Sequence, residues 1–359
     1  MVAPAAYRKY LWKHSLKGGA AYNERREGRF LRFEDLWDAV DLEPVPGADR
    51  QLCETSVGSI RLAMFRTMHI PDSAPSWRSC APSYGVVIDG RVLYTADQGG
   101  NELNHVYVRE VDGTVKDLTP GKDFKAQFGG WADDEKSFFV MSNERDPKYF
   151  DGYEYAVDGY ARTLIYKNEK GYNPSAISRD KRYVALGKDN TTSDADIVLF
   201  DRETSTEKNL TQHEGVESNA AVAFTPDGGL LYTSNRGGEF SRLLRMDLSS
   251  GESSLVYETK WDVVGADYTP DDSHLLVYVN ADARTELVML DAKTLQPVAL
   301  PKVPAGDITG VDFSNDGKRL AFYVASSRFP SSLWTAQLGG EARQLVSALN
   351  AAIDVEDLV

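Results

Sequence analysis

Short apolar runs alternate along this chain with clusters of Gly, Asp and Asn, and the alternation recurs at a fixed distance. The segments "VVIDGRVLYT" (86–95), "GWADDEKSFFV" (130–140), "AISRDKRYVAL" (176–186), "AFTPDGGLLYT" (223–233), "DYTPDDSHLLVY" (267–278) and "DFSNDGKRLAFY" (312–323) share one design. Each has an apolar residue or two, a turn containing Asp, and then a run of β-branched and aromatic residues. The aligned acids are Asp89, Asp134, Asp180, Asp227, Asp271 and Asp316, separated by 45, 46, 47, 44 and 45 residues. A repeat of this length signals an array of small structural units.

The rest of each unit repeats as well. A second alternating run follows each turn, as in "HVYVREVDG", "RTLIYKNEKG", "DIVLFDRETS", "RLLRMDLSSG", "ELVMLDAKTL" and "SLWTAQLGG". Most copies then add a short fourth run, such as "EKNLT" or "SSLVYE". Four short strands joined by tight turns make one antiparallel sheet. A lone sheet cannot bury both faces, whereas radial packing of several gives each face a neighbour. The pattern therefore predicts an all-β fold: a β-propeller of four-stranded antiparallel blades, six of them read directly over residues 81–349. The Asp of each turn is expected to bond downstream backbone N–H groups rather than to ligate anything.

The N-terminal third is less regular. "DLWDAVDLEPVPGADRQL" (35–52) resembles "SLWTAQLGGEARQL" (332–345), with Leu36 and Trp37 matching Leu333 and Trp334. A seventh, N-terminal blade is expected over residues 1–53. Residues 54–80, ending on Cys80 and preceded by Cys53, break the pattern and read as an irregular insertion expected to pack poorly, whether an inserted loop, a lid or a stretch read through a frame error. The last residues, 350–359, read as a linker-like tail.

Composition narrows the functions. A formal net charge of −14 argues against a nucleic-acid partner, because a phosphate backbone must be met by clustered Lys and Arg. No apolar run approaches the ~20 residues that cross a bilayer as a helix. Charges at Arg8, Lys9 and Lys13 interrupt the N-terminus where a signal peptide needs its apolar stretch, so the expected location is cytoplasmic. Two cysteines are too few for a disulfide framework or a four-ligand zinc site.

Catalytic signatures are missing from the sequence. There is no G-x-S-x-G, no Walker loop and no G-x-G-x-x-G. The five histidines are widely spaced, with no pair at metal-ligand intervals, and His105 and His274 are placed at strand edges in structural roles. No catalytic residue, metal or cofactor is expected. Candidate binding residues come from the loops between second and third strands. The longest, 142–161, carries Tyr149, Phe150, Tyr153 and Tyr155 among acids. These aromatics either pack on their own blade or face a peptide or cationic partner. Arg236, Arg284 and Arg328 occupy comparable loops and are candidates for facing a partner.

The stretches "SNRGGEFSRLLRMDLSSGE", "ETKWDVVGADYTPDDSHLLVYVN" and "LPKVPAGDITGVDFSNDGKRLAFYVASSRFPSSLW", with the closing "LNAAIDVEDLV", resemble the prolyl oligopeptidase family of serine peptidases. The likeness is to its N-terminal propeller with TolB-like repeats and covers roughly residues 86–359. It implies a part that gates substrate for an α/β-hydrolase domain, with the acidic end as the hinge toward that domain and peptides as possible ligands. It also implies a chain without its own nucleophile, read as a fragment or truncated paralogue. The paired-Glu motif of the dipeptidyl-peptidase branch is absent, since no Glu-Glu occurs. The alternatives are a TolB-like protein-interaction scaffold, or a propeller lyase or lactonase with a channel metal. For the last, only Asp267 and Asp312 offer carboxylates on innermost strands.

Overall fold

The computed structural model describes residues 91–346 except 99, 304, 315, 316 and 328. The expected first blade (1–53), the 54–80 insertion, the 350–359 tail, Asp89, Asp316 and Arg328 lie outside the described residues. Among the described residues every regular element is a strand. The first sheet holds β1 (Val92–Ala96), β2 (His105–Arg109) and β3 (Val115–Asp117). The second holds β4 (Ala126–Trp131), β5 (Ser137–Asp146), β6 (Tyr149–Ala156) and β7 (Arg162–Tyr166). The third is β8 (Asn173–Ile177), β9 (Tyr183–Thr191), β10 (Asp194–Asp201) and β11 (Thr206–Asn209). The fourth is β12 (Asn219–Phe224), β13 (Leu230–Ser234), β14 (Arg242–Met246) and β15 (Ser253–Tyr257). The fifth is β16 (Asp262–Tyr268), β17 (His274–Ala281), β18 (Arg284–Asp291) and β19 (Pro297–Val298). The sixth is β20 (Asp307–Phe313), β21 (Arg319–Ser326), β22 (Phe329–Gln337) and β23 (Arg343–Val346).

In every sheet, strands adjacent in sequence pair antiparallel, which makes each a simple meander. These are the blades of a β-propeller. The chain divides into two compact units, one of residues 1–120 with 299–359 and one of residues 121–298. Described residues of the first unit form the first and sixth sheets, and the second unit holds the second to fifth sheets.

Packing inside the second unit explains why the repeat exists. Ile165 and Tyr166 of β7 meet Ile177, Val184 and Leu186 of the next sheet. Ala185, Ile197 and Leu199 pack on Phe224, Leu230 and Tyr232. Leu231 and Leu243 in turn pack on Val263, Leu275 and Val277. The third and fourth sheets thus each bury one apolar face on the sheet before and the other on the sheet after, so apolar residues are required on both faces of their middle strands. Fully burying one such Leu or Val is worth about 1.5–3 kcal/mol.

The turn between first and second strands is the same object in every four-stranded sheet. The N–H of Glu135, Lys181, Gly228, Asp272 and Gly317 returns to the carbonyl of Ala132, Ser178, Thr225, Thr269 and Ser314. Those five donors all have positive φ, between 54° and 86°. The Asp residues do what their turn position predicts. Asp134, Asp180 and Asp271 accept the backbone N–H two residues on, at 3.0, 3.1 and 3.1 Å. Asp227 instead accepts from the Thr225 hydroxyl, whose oxygen takes the Gly229 N–H.

Candidate functional site

The second unit presents its polar machinery where second and third strands join and where one sheet hands over to the next. The expected long loop 142–161 is not a loop. It is the extended hairpin β5–β6, in which Asp146 pairs with Tyr149 across Pro147 and Lys148. The polar run misleads because its strand residues are polar by necessity. Asn143 gives its side-chain amide to the Pro147 carbonyl and accepts the Lys125 N–H. Asp151 is buried and takes both a bidentate Arg145 guanidinium, at 2.6 and 2.8 Å, and the Asn168 N–H at 2.7 Å. Asn168 then bonds the Phe150 and Tyr172 carbonyls, so the hairpin is braced against the passage from β7 to β8.

The aromatic candidates sit on this hairpin at graded depth. Tyr155 is 1% exposed and stacks on Phe138, with centroids 5.4 Å apart. Tyr153 is buried beneath the Arg162 guanidinium, 5.0 Å from the ring centroid. Burial first, then the bond and charge of Glu144, push its hydroxyl up to about 12. Tyr149 and Phe150 are half-buried nearer the tip. Tyr149 packs against Gly171, where an added Cβ would come to 3.0 Å from the ring. Tyr149, Tyr153 and Tyr155 fall on one face of β6 and Phe150 on the other, with Tyr149 and Phe150 more accessible than the inner pair.

Arg236 stands in the β13–β14 loop, exposed, with Nε 3.4 Å from Glu217 Oε1. Arg284 opens β18, opposite Ala281, and is exposed. Arg236 leads to a cluster that sequence spacing did not suggest. His213, between β11 and β12, places Nε2 2.9 Å from Asp194 Oδ1. Its Nδ1 is 2.9 Å from the Thr211 carbonyl and 3.3 Å from Asp196 Oδ1. Lys188 holds the other oxygen of Asp196 at 2.9 Å. Asp194 and Asp196 alternate on β10 and so share a face. That two-residue spacing was the available signal, and the distant His213 hid its meaning.

His105 and His274 begin strands. The first bonds Asp117 at 2.8 Å, and the second sits 2.6 Å from the Ser273 hydroxyl. On the innermost strands, Asp267 belongs to the second unit and Asp312 to the first. Asp267 is exposed on its strand, yet the protein mass around it raises its carboxyl above the ordinary value, partly offset by a bond to the Tyr278 side chain. Asp312 accepts the Phe313 N–H at 3.0 Å. Among the described residues no group of three His, Cys, Asp or Glu is placed to hold a metal ion, and no helix is long and apolar enough to cross a membrane.

Residues 88–303 match the model of the prolyl oligopeptidase N-terminal β-propeller domain. The chain belongs to this family. Residues 1–119 match a second model, that of the anti-Pycsar protein Apyc1, so β1 to β3 fall in both matches. Among curated relatives, the dipeptidyl aminopeptidase BIII of Pseudoxanthomonas mexicana is 29% identical over 171 residues, 46% of this chain and 25% of the peptidase. A prolyl endopeptidase structure superposes with a TM-score of 0.58 at 16% identity, over 75% of this chain and 42% of that one. TolB from Acinetobacter baumannii gives 0.51 at 17% identity, over 72% of this chain and 66% of that one. Identities this low establish a common fold only. This propeller-family chain spans a quarter of the aminopeptidase's length and under half of the endopeptidase's.

Proposed function

We propose that this chain serves as the non-catalytic propeller of a prolyl-oligopeptidase-type serine peptidase, docking to an α/β-hydrolase domain and restricting access to it to short peptides. The observation that carries the reading is the family match over residues 88–303, which is to the N-terminal propeller of that family. Two features of the chain support it. The sequence contains no G-x-S-x-G, so it offers no nucleophile elbow. The second unit's hairpin tips and sheet-to-sheet connections carry aromatic, cationic and carboxylate groups, which suit contact with another protein surface or a peptide better than bond cleavage.

Two measurements test this. The purified chain should leave chromogenic proline and alanine peptides intact and take no label from a serine-directed phosphonate. It should also retain a separately expressed prolyl-oligopeptidase-type hydrolase domain in a pull-down. Turnover with labelling would overturn the non-catalytic role. Failure to retain any such hydrolase domain would favour a stand-alone interaction scaffold.

A further inference from the structure

The His213 ring is shut off from solvent, with its side chain 4% exposed, and both of its nitrogens face groups that can only accept. Nε2 meets the Asp194 carboxylate at 2.9 Å and Nδ1 meets the Thr211 carbonyl at 2.9 Å. A neutral imidazole has one N–H and would set a lone pair against one of these oxygens. Only the imidazolium donates to both. Asp196 Oδ1 is buried with no hydrogen-bond partner and lies 3.3 Å from Nδ1, so a charged ring adds to the compensation that Lys188 gives the other oxygen.

The charges around the ring come from every neighbouring element. β10 supplies Asp194 and Asp196, and the connection supplies Glu217, with Oε2 3.9 Å from Nδ1. β9 supplies Lys188, and the β13–β14 loop supplies Arg236. Three carboxylates against two cations leave an excess negative charge that the imidazolium cancels. The connection it holds is a strap. Ala195 donates its N–H to the Glu217 carbonyl at 2.9 Å, and Ala195 and Ser218 bridge in parallel. Ser218 donates to Asn235 at 2.8 Å, and Asn219 donates to the Ala195 carbonyl at 3.2 Å.

We propose that His213 is a pH-operated clasp: as imidazolium it fastens the strap between the third and fourth sheets to β10, and loss of its proton releases the strap together with the loop bearing Arg236. The clasp goes beyond the peptidase reading and holds whether or not a hydrolase domain docks. Its pKa moves in the matching direction. The Thr211 carbonyl raises it most and desolvation opposes, while Asp194, Glu217 and Asp196 add to the rise above 6.5. A raised folded pKa means a stabilisation fully present below 6.5 and lost as pH climbs through the higher folded value.

The test is a pH series on the full chain, reading histidine ring signals by NMR and amide exchange at Ala195. The Arg202 amide, bonded to the Arg182 carbonyl at the other end of β10, serves as reference. His213, assigned by His213→Gln or by elimination through the other four histidines, is expected to titrate above 6.5, and Asp194→Asn is expected to lower that value. Ala195 protection relative to Arg202 is expected to fall severalfold across the same titration. The clasp is overturned if His213 titrates at or below 6.5. It is equally overturned if Ala195 tracks Arg202 throughout, a readout that needs no variant to fold.

Discussion

Arg179 of the third sheet's turn reaches Asp272 in the fifth sheet's turn, with Nη1 2.7 Å from Oδ2 and a second contact from Nη2 to Oδ1. Its Nε also bonds Asp133, at 2.7 Å. One guanidinium on the β8–β9 turn therefore ties the turns of the second and fifth sheets, and Asp272 meets it from the positive-φ position shared by all these turns. Only Arg has the planar fork to serve both carboxylates. Because the partners are one-third to one-half exposed, screening limits the gain to about 0.5–1 kcal/mol. Arg179→Ala is expected to lower stability by that amount in urea denaturation at low salt and by less at high salt. Arg179→Lys should fail to restore it. A loss independent of salt would contradict an electrostatic tie.

Tyr155 separates a packing role from a ligand-binding one. Its ring fills space against Phe138, and its hydroxyl reaches Arg162 at 3.5 Å. Tyr155→Ala should therefore cost about 3–5 kcal/mol through the cavity left behind. Tyr155→Phe keeps the ring and removes only the hydroxyl, so it should cost about 0.5–1.5 kcal/mol. Denaturation of the two variants side by side checks this. A Phe variant as unstable as the Ala variant would give the hydroxyl a role the packing does not require.

The blade repeat was legible because its turn has a strict chemical requirement. An acceptor side chain and a positive-φ residue must fall at fixed places, and Asp with Gly or a tolerant polar residue meets both. The hairpin β5–β6 was not legible, because Ser142, Asn143 and Asp151 are buried through hydrogen bonds rather than through apolarity and so break the alternation. The same holds for His213, whose partners lie 17 and 19 residues upstream on a strand where polar residues at alternate positions ordinarily mean a solvated face. Hydrophobic patterning finds surfaces that leave water. It is blind to polar groups that leave water in company. The similarity of residues 1–119 to Apyc1 was not legible either, since "VVIDGRVLYT" satisfies the blade pattern by itself.

Ala283 marks a place where glycine would improve the chain. Ala281 pairs with Arg284 across a two-residue turn in which Asp282 and Ala283 have φ of 50° and 61°. Both central residues at positive φ is the arrangement for which Asn-Gly and Asp-Gly are preferred. An L-residue other than Gly or Asn pays about 1–2 kcal/mol there, while Gly gains unfolded-state entropy. Ala283→Gly should accordingly raise stability by about 0.5–1 kcal/mol, the reverse of the usual effect within a strand. A lower melting temperature would show that the turn is held by something other than its local backbone.

Acid should unfold the protein through its capping carboxylates, and Asp247 is the clearest case. The Ser249 hydroxyl, then the backbone N–H groups of Ser250 and Ser249, bring its carboxyl down from 3.8 to about 2. Glu154 moves the same way. Burial works against it, but bonds from Lys181 and Ser137 outweigh burial and lower its pKa. A depressed folded pKa gives a stabilisation present in full above the unfolded value and lost as pH falls through the folded one. For Asp247 that window runs from 3.8 down to about 2. Asp247→Asn cannot ionise, so its stability should fall below that of the parent by a constant amount at any pH above the window. Within the window the two should converge. Parallel urea titrations along a pH series read the difference directly. A gap that stays constant through the window would mean that the carboxamide and the carboxylate cap this turn by shape alone, with charge contributing nothing.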